Sequence, residues 1–422
     1  MTRRRKPHAE AAAPGAETAT FAPVVNAGFQ ATASRVQEMH QAIAGKTFDN
    51  LLRVPGLSVP TRIVQGVHDA ITQGVYAAVR HGGHAAAALA GQAERLATDP
   101  ARVPGTREQA LRSALNGVVG DELQASGSAL AIRMSLVANG APLVLTAQAL
   151  RDLPSRVAVF IHGLACDEQS WALRSDAWRD SPWADTLPAG EAIQYGNLLT
   201  RELGVAATYL RYNTGLSIDD NGQQLATLLS QVAEAAPQVR EWLLVGHSMG
   251  GLVARRAHAL AAIEGQAWAG RAPMIVCIGS PHQGAPLEQL GQLATSAMNI
   301  SDVTRPLARI ANARSRGIKD LRRGLKGQAN PPQPPALRMV FGTLGDEVDH
   351  HGAGALIGKL LGDGLVMPGS AADEGLSGDV ERVELAGLGH MGLLNHPRVY
   401  AVLRRWLGAP ELIPAPSAAH AD

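Results

Sequence analysis

The run Val157-Ala-Val-Phe-Ile161 contains no polar residue. A strand with one solvated face alternates apolar and polar side chains, so an unbroken apolar run of this length belongs to a strand covered on both faces, as in a parallel sheet. Further β-type runs follow at Ala207–Leu210, Trp242–Val245, Met274–Ile278, Leu337–Phe341 and Val380–Leu385. Helical stretches separate them, among them Gly222–Ala235, Leu252–Ile263 and Pro397–Leu407. Strand and helix in alternation predict a mostly parallel, doubly wound α/β sheet. Ahead of it, Ala129–Val137 and Pro142–Leu145 flank Asn139-Gly140, a strong hairpin signal.

Composition agrees with one large core. Of 422 residues, 46% are hydrophobic and 18% charged, and the formal net charge is +1. These values exclude a disordered chain, a coiled coil and a strongly basic nucleic-acid binder. Cys166 and Cys277 are too few for a disulfide framework and fit no zinc spacing. No stretch of eighteen apolar residues suggests a spanning helix, and the basic start Met1–Pro7 leads into an Ala/Glu/Pro/Gly run instead of an apolar signal core. A cytoplasmic protein is the expectation, with peripheral membrane contact as an option.

The chain divides by pattern. Residues 1–24 carry no periodicity and are expected to be a disordered tail, whereas in residues 25–116 apolar side chains recur at spacings of three and four (Val36, Met39, Ile43; Ile63, Val67, Ile71, Val75), which predicts a helical accessory segment. The α/β domain is expected over 117–408 and a flexible tail over 409–422.

The sharpest motif is Gly246-His247-Ser248-Met249-Gly250, entered by Trp242-Leu-Leu-Val245 and left through the helical Gly251-Leu-Val-Ala-Arg255. A strand, a GxSxG turn and a helix form a nucleophile elbow, in which glycines allow close packing while the serine Oγ projects above the sheet. The helix N-terminus directs free N–H groups and the positive end of its dipole at the serine.

With this motif in its setting, the sequence resembles the α/β-hydrolase superfamily, and within it the lipases and esterases, over roughly residues 121–408. Phe160-Ile-His162-Gly163-Leu164 is similar to the HG turn of that family, where the amide after the glycine is half of the oxyanion hole. The resemblance thus implies Leu164 and Met249 N–H as oxyanion donors, with His162 bracing the turn. Gly279-Ser280-Pro281-His282-Gln283-Gly284 looks like the GTPHxG loop of lipases, with Ser280 in place of Thr and His282 in a structural role. Gly362-Asp363-Gly364-Leu365-Val366-Met367-Pro368 is similar to the segment holding the acid of the catalytic triad, which makes Asp363 the candidate. Asp346, nearer the end of the strand at 337–341, is its rival. His390, in Leu388-Gly389-His390-Met391-Gly392, falls where the family places the general base. His396 reads better as part of a helix start in which Asn395 caps and Pro397 occupies the first turn.

The implied fold is therefore the α/β-hydrolase fold with a helical cap at about 285–335. Residues 301–330 hold eight Lys/Arg against Asp302 and Asp320, and Leu307, Ile310, Ile318, Leu321 and Leu325 fall near one helical face. Either a cap helix with a solvated basic face or a lid on an anionic lipid surface has this composition. Asp349, His350 and His351 match no metal template and read as a polar loop. The implied activity is cleavage of a small-molecule or lipid ester through an acyl-enzyme, by Ser248, Asp363 and His390, with no cofactor, metal or nucleic-acid partner. Alternatives are an acyltransferase or thioesterase on the same residues, or a non-catalytic protein that binds lipid or granules.

Overall fold

An eight-stranded sheet with the order β2-β1-β4-β3-β5-β6-β7-β8 organises the computed structural model. The structure describes residues 105–188, 190–285, 315–325, 331, 334–344, 363, 366–376 and 378–408. The chain divides into two compact units, 1–96 and 97–422. The expected tails, the part of the expected accessory segment before residue 105 and most of the expected cap lie outside the described residues.

The first described element is helix α1 (Thr106–Ala125). The expected boundary at 116/117 falls inside it. Its side chains do work that the sequence does not announce: Arg112 donates to the carbonyls of Ala129, Leu130 and Ala131, and Asn116 both donates to Leu130 O and accepts from Ile132 N–H. These bonds satisfy main-chain groups that a strand would have paired. Strand β1 consequently starts at Ser135 and not at Ala129; it spans Ser135–Ala138 and pairs antiparallel with β2 (Ala141–Pro142). Asn139 and Gly140 between them have φ of 49° and 78°, the pair of positive values that a type I′ hairpin turn needs. A short helix, α2 (Ala147–Leu150), is capped by the Thr146 side chain.

The parallel part follows as β3 (Arg156–Ile161), α3 (Tyr195–Leu203), β4 (Ala206–Arg211), α4 (Ile218–Ala235), β5 (Glu241–His247), α5 (Met249–Ile263) and β6 (Met274–Ile278). Then come α6 (Arg316–Leu321), β7 (Ala336–Thr343), α7 (Pro368–Ala372), β8 (Val380–Ala386) and α8 (Pro397–Trp406). All the expected strands of this part are present. β8 closes the sheet as its edge, where Leu385 alone of its residues is buried, so it carries Glu381, Arg382 and Glu384 among its apolar residues while β3 and β5 do not.

Alternation assigns the two faces. Ala158, Phe160, Leu243, Val245, Val276, Ile278 and Val340 pack on one side against Trp171, Trp178, Tyr195, Tyr400 and the apolar residues of α3 and α8. Cys277 points to the opposite side, where its Sγ lies 3.8 Å from the Gly251 carbonyl of α5. Helix α5 packs on β3, β5 and β6, and α4 packs on α5. Strand β4 lies on one side of β3 and β5 on the other, so the order reverses at β3, and open α/β sheets place their sites beyond the strand ends at such a switch point. The register brings these ends level: Ile161 is opposite Gly246, His247 opposite Ile278, and Ile278 opposite Val340.

Of the expected cap, α6 is described. Ser315 caps it and donates to Gly117 O of α1, Gly317 N–H donates to Gly215 O, and Ile318 and Leu321 are buried. Arg316, Lys319, Arg322 and Arg323 face solvent.

Candidate active site

Ser248 sits between β5 and α5 with φ 55° and ψ −123°, a conformation that costs a non-glycine residue about 1 to 3 kcal/mol and persists where the surroundings enforce it. Its N–H is held by the Ile278 carbonyl at 2.8 Å. Two glycines make the turn close enough. A Cβ on Gly246 would lie 2.3 Å from the Gly251 nitrogen, and one on Gly250 would lie 2.1 Å from the Ile161 carbonyl oxygen. Ser248 is 1% exposed, and its Oγ has no hydrogen-bond partner among the described residues. A buried hydroxyl without a partner costs about 1 to 3 kcal/mol, and sites of reaction are where such costs persist.

His390 opens a 3₁₀ turn (His390–Leu394) after β8. Its Nδ1–H donates to Asp363 Oδ2 at 2.7 Å, and its main-chain N–H donates to the Asp363 carbonyl at 2.9 Å. Asp363 Oδ1 accepts the Val366 N–H at 2.7 Å, so both carboxylate oxygens are engaged. Both side chains are at most 2% exposed. With Nδ1 donating, Nε2 is the basic nitrogen, and it too is buried without a partner among the described residues. The His390 ring adjoins Gly279, the residue after Ile278: a Cβ there would be 3.2 Å from His390 Nδ1. Ser248 and His390 thus both border the end of β6. Asp346, Asp349, His350 and His351 lie outside the described residues.

Met249 is the first residue of α5, and its N–H is one of those a helix start leaves without an intrahelical acceptor. Leu164 follows Gly163, whose Cβ, if present, would stand 3.0 Å from Ser248 Cβ. The turn carrying Leu164 is braced from neighbouring loops: Tyr212 Oη donates to His162 O at 2.7 Å, Ala165 N–H donates to Thr214 Oγ1 at 3.1 Å, and Ala165 has φ 58°. Nothing in the sequence distinguishes Tyr212 or Thr214 for this role. The buried His162 ring packs on Tyr212 with centroids 4.6 Å apart and contacts Gly163 O; burial lowers its pKa to about 4. His282 is also buried, and its Nδ1 accepts from Arg255 Nη1 at 2.7 Å; burial, reinforced by Arg255, holds it well below the ordinary histidine range.

One expected cap changes. His396, not Asn395, caps α8, its Nδ1 accepting the Arg398 N–H, while Pro397 takes the first turn as expected. Asn395 is fully buried, where it accepts from Trp178 Nε1 and donates to Ile193 O. An amide can satisfy both partners there, and the helix end takes the next available acceptor.

The cysteines offer no rival nucleophile, since burial pushes the thiols of Cys166 and Cys277 up to about 12. Among the described residues no group of three His, Cys, Asp or Glu could hold a metal, and no helix is long and apolar enough to cross a membrane. A groove of about 1400 Å³ opens beside β1 and β4, lined by Gln109, Glu168, Tyr209 and Arg211, and includes none of Ser248, Asp363 and His390.

A model of the PGAP1-like alpha/beta domain family matches residues 220–319, from within α4 through the elbow into α6. Among curated proteins none matches the chain. Solved structures to which the chain is similar include a lipase of Bacillus licheniformis in mature form, 19% identical over 61% of this chain and 94% of its own, with a TM-score of 0.40. A carboxylesterase of Nitrososphaera gargenis is 13% identical over 66% and 94%, with a TM-score of 0.37. A lipase-esterase related protein of Clostridium acetobutylicum is 9% identical over 65% and 98%, also at 0.37. Such scores assign neither an activity nor a substrate here. An eight-stranded, mostly parallel sheet with flanking helices and the strand–elbow–helix turn at Ser248 make up an α/β-hydrolase fold.

Proposed function

We propose that the chain is a serine hydrolase that cleaves carboxylic esters through an acyl-enzyme. A single geometry supports this most: a buried histidine oriented by a carboxylate at 2.7 Å, its other nitrogen without a partner among the described residues, at the same end of the sheet as a strained serine whose hydroxyl also has none among them. In this reading His390 Nε2 takes the Ser248 proton as Oγ attacks the ester carbonyl. Asp363 fixes the tautomer and stabilises the imidazolium. The N–H groups of Leu164 and Met249 receive the oxygen as it becomes an oxyanion, each such donor contributing about 3 to 4 kcal/mol to the barrier reduction. His390 then protonates the leaving alcohol, and water activated by the same nitrogen releases the acid.

The substrate is a small-molecule or lipid ester. The exposed cations Lys319, Arg322 and Arg323 on and beside α6 would add attraction for an anionic lipid surface. Ser248→Ala tests the reading: it abolishes both hydrolysis of p-nitrophenyl esters and labelling by a fluorophosphonate, with the far-UV circular dichroism unchanged. Hydrolysis retained in a pure preparation removes Ser248 from the mechanism. Acyl chain length is read by running the wild type over short to long esters, with and without an emulsified interface.

A further inference from the structure

We infer that His247, the residue before Ser248, is a positioning residue that ties the proposed general base to the strand carrying the nucleophile; this rests on the serine-hydrolase reading. His247 ends β5 and is 1% exposed. Its Nε2 lies 3.1 Å from the main-chain oxygen of His390. A carbonyl only accepts, so Nε2 carries the hydrogen and donates. Nδ1 is then a bare acceptor, and it has no partner among the described residues. The ring packs against the His390 ring, with centroids 4.7 Å apart, and nearly perpendicular to Trp171 at 6.3 Å.

Three bonds described above hold His390, and they are not equivalent. Its main-chain N–H and its Nδ1–H both reach Asp363, so these two fix base and acid to one another. The third, from His247 Nε2–H to His390 O, runs to β5 and so fixes that pair relative to Ser248. Without it, acid and base can shift as a unit while their mutual hydrogen bond survives. Misplacing reacting groups by about 1 Å costs on the order of 100-fold in rate.

Charge points the same way. The titratable groups facing His247 are His390, from the turn after β8, and His162, from the turn after β3. Burial, and then His390, hold His247 well below the ordinary histidine range. It therefore remains neutral while His390 becomes an imidazolium, and adds no repulsion to that step. A residue that merely fills space would need neither the donor nor the neutrality.

Two variants of the full chain separate the roles. His247→Gln keeps an N–H donor and cannot be charged, whereas His247→Leu keeps bulk without a donor. For the folded Leu variant, kcat and the rate of fluorophosphonate labelling fall between about tenfold and 100-fold with KM nearly unchanged, while Gln stays within about threefold of wild type. The low-field proton NMR signal of the His390–Asp363 hydrogen bond persists in both, and the His390 ring resonances, which lose the ring current of His247 in both variants, move further in Leu than in Gln. A folded Leu variant with wild-type kcat overturns the proposal, as do equal losses in Gln and Leu. If the wild type is not labelled at Ser248, the hydrolase reading fails instead. The His390 resonances then still decide the positioning claim, because equal shifts in Leu and Gln overturn it.

Discussion

Asp363 holds His390 twice, through its carboxylate on the ring and through its carbonyl on the main-chain N–H. The two contacts have separable consequences, because Asn at 363 preserves the main-chain bond and removes the charge. Asp363→Asn is expected to lower kcat by about 10⁴-fold with little change in KM, since the amide favours the wrong imidazole tautomer. Steady-state kinetics on a p-nitrophenyl ester check this. A wild-type rate in this variant together with a comparable loss in Asp346→Asn would move the role to Asp346.

The backbone at Ser248 gives a stability prediction opposite in sign to the activity prediction. Glycine adopts φ near 55° without the steric cost that a Cβ incurs. Ser248→Gly therefore removes hydrolysis and raises stability by about 1 kcal/mol relative to Ser248→Ala, which keeps the strain. Thermal melts of the two inactive variants decide it, and equal melting temperatures would count against stored strain at the elbow.

His162 sets an acid limit. Its pKa in the folded state, about 4, lies below the ordinary 6.5, so between these values the unfolded chain binds a proton that the folded chain excludes. Stability thus falls as pH drops from about 6.5 towards 4, by up to about 1.4 kcal/mol per pH unit for this one group. His162→Asn is expected to flatten the wild-type slope in that window, whatever it does to absolute stability. Denaturant titrations at several pH values measure the slope, and an unchanged one would show that His162 titrates normally.

The lipid-surface proposal makes a charge prediction. Each exposed cation near an anionic membrane contributes about 1 kcal/mol. Reversing Lys319, Arg322 and Arg323 to Glu should abolish cosedimentation with phosphatidylserine vesicles, leave the absence of binding to phosphatidylcholine vesicles unchanged, and spare hydrolysis of a soluble short-chain ester. Equal vesicle binding by wild type and variant would leave these side chains a solvated face alone.

The helix start at Pro397 separates a cap from a core amide. Asn395→Ala leaves Trp178 Nε1 buried without its acceptor and should cost about 2 to 3 kcal/mol, while His396→Ala should cost about 1 kcal/mol or less. The reverse order in chemical denaturation would restore Asn395 to the capping role.

That last pair shows what a sequence can carry. The interior strands were legible because covering both faces leaves no room for polar side chains, so Val157–Ile161 and Met274–Ile278 announce themselves residue by residue. The elbow was legible because its glycines answer a local steric demand. Asn395 is not legible as a core residue, because a cap and a buried hydrogen-bond hub need the same side-chain chemistry, and Trp178, which decides between them, lies far away in the chain. The same holds at Ala129–Met134, where Arg112 and Asn116 of α1 take the main-chain partners that a strand would have used. The contact of His247 with His390 has no local signature at all, since it exists only once β5 and the turn after β8 are side by side.

The in-phase pairing of β6 and β7 has an evolutionary consequence. Met274 faces Ala336 and Ile278 faces Val340, so the long excursion between these parallel strands leaves at the Ile278 end of the sheet, beside Ser248, and re-enters next to β6 at the opposite end. Closing such an excursion costs little more when it lengthens, because the entropy grows only with the logarithm of its length. Insertions there lengthen a connection that starts beside the serine without disturbing the strands that align it.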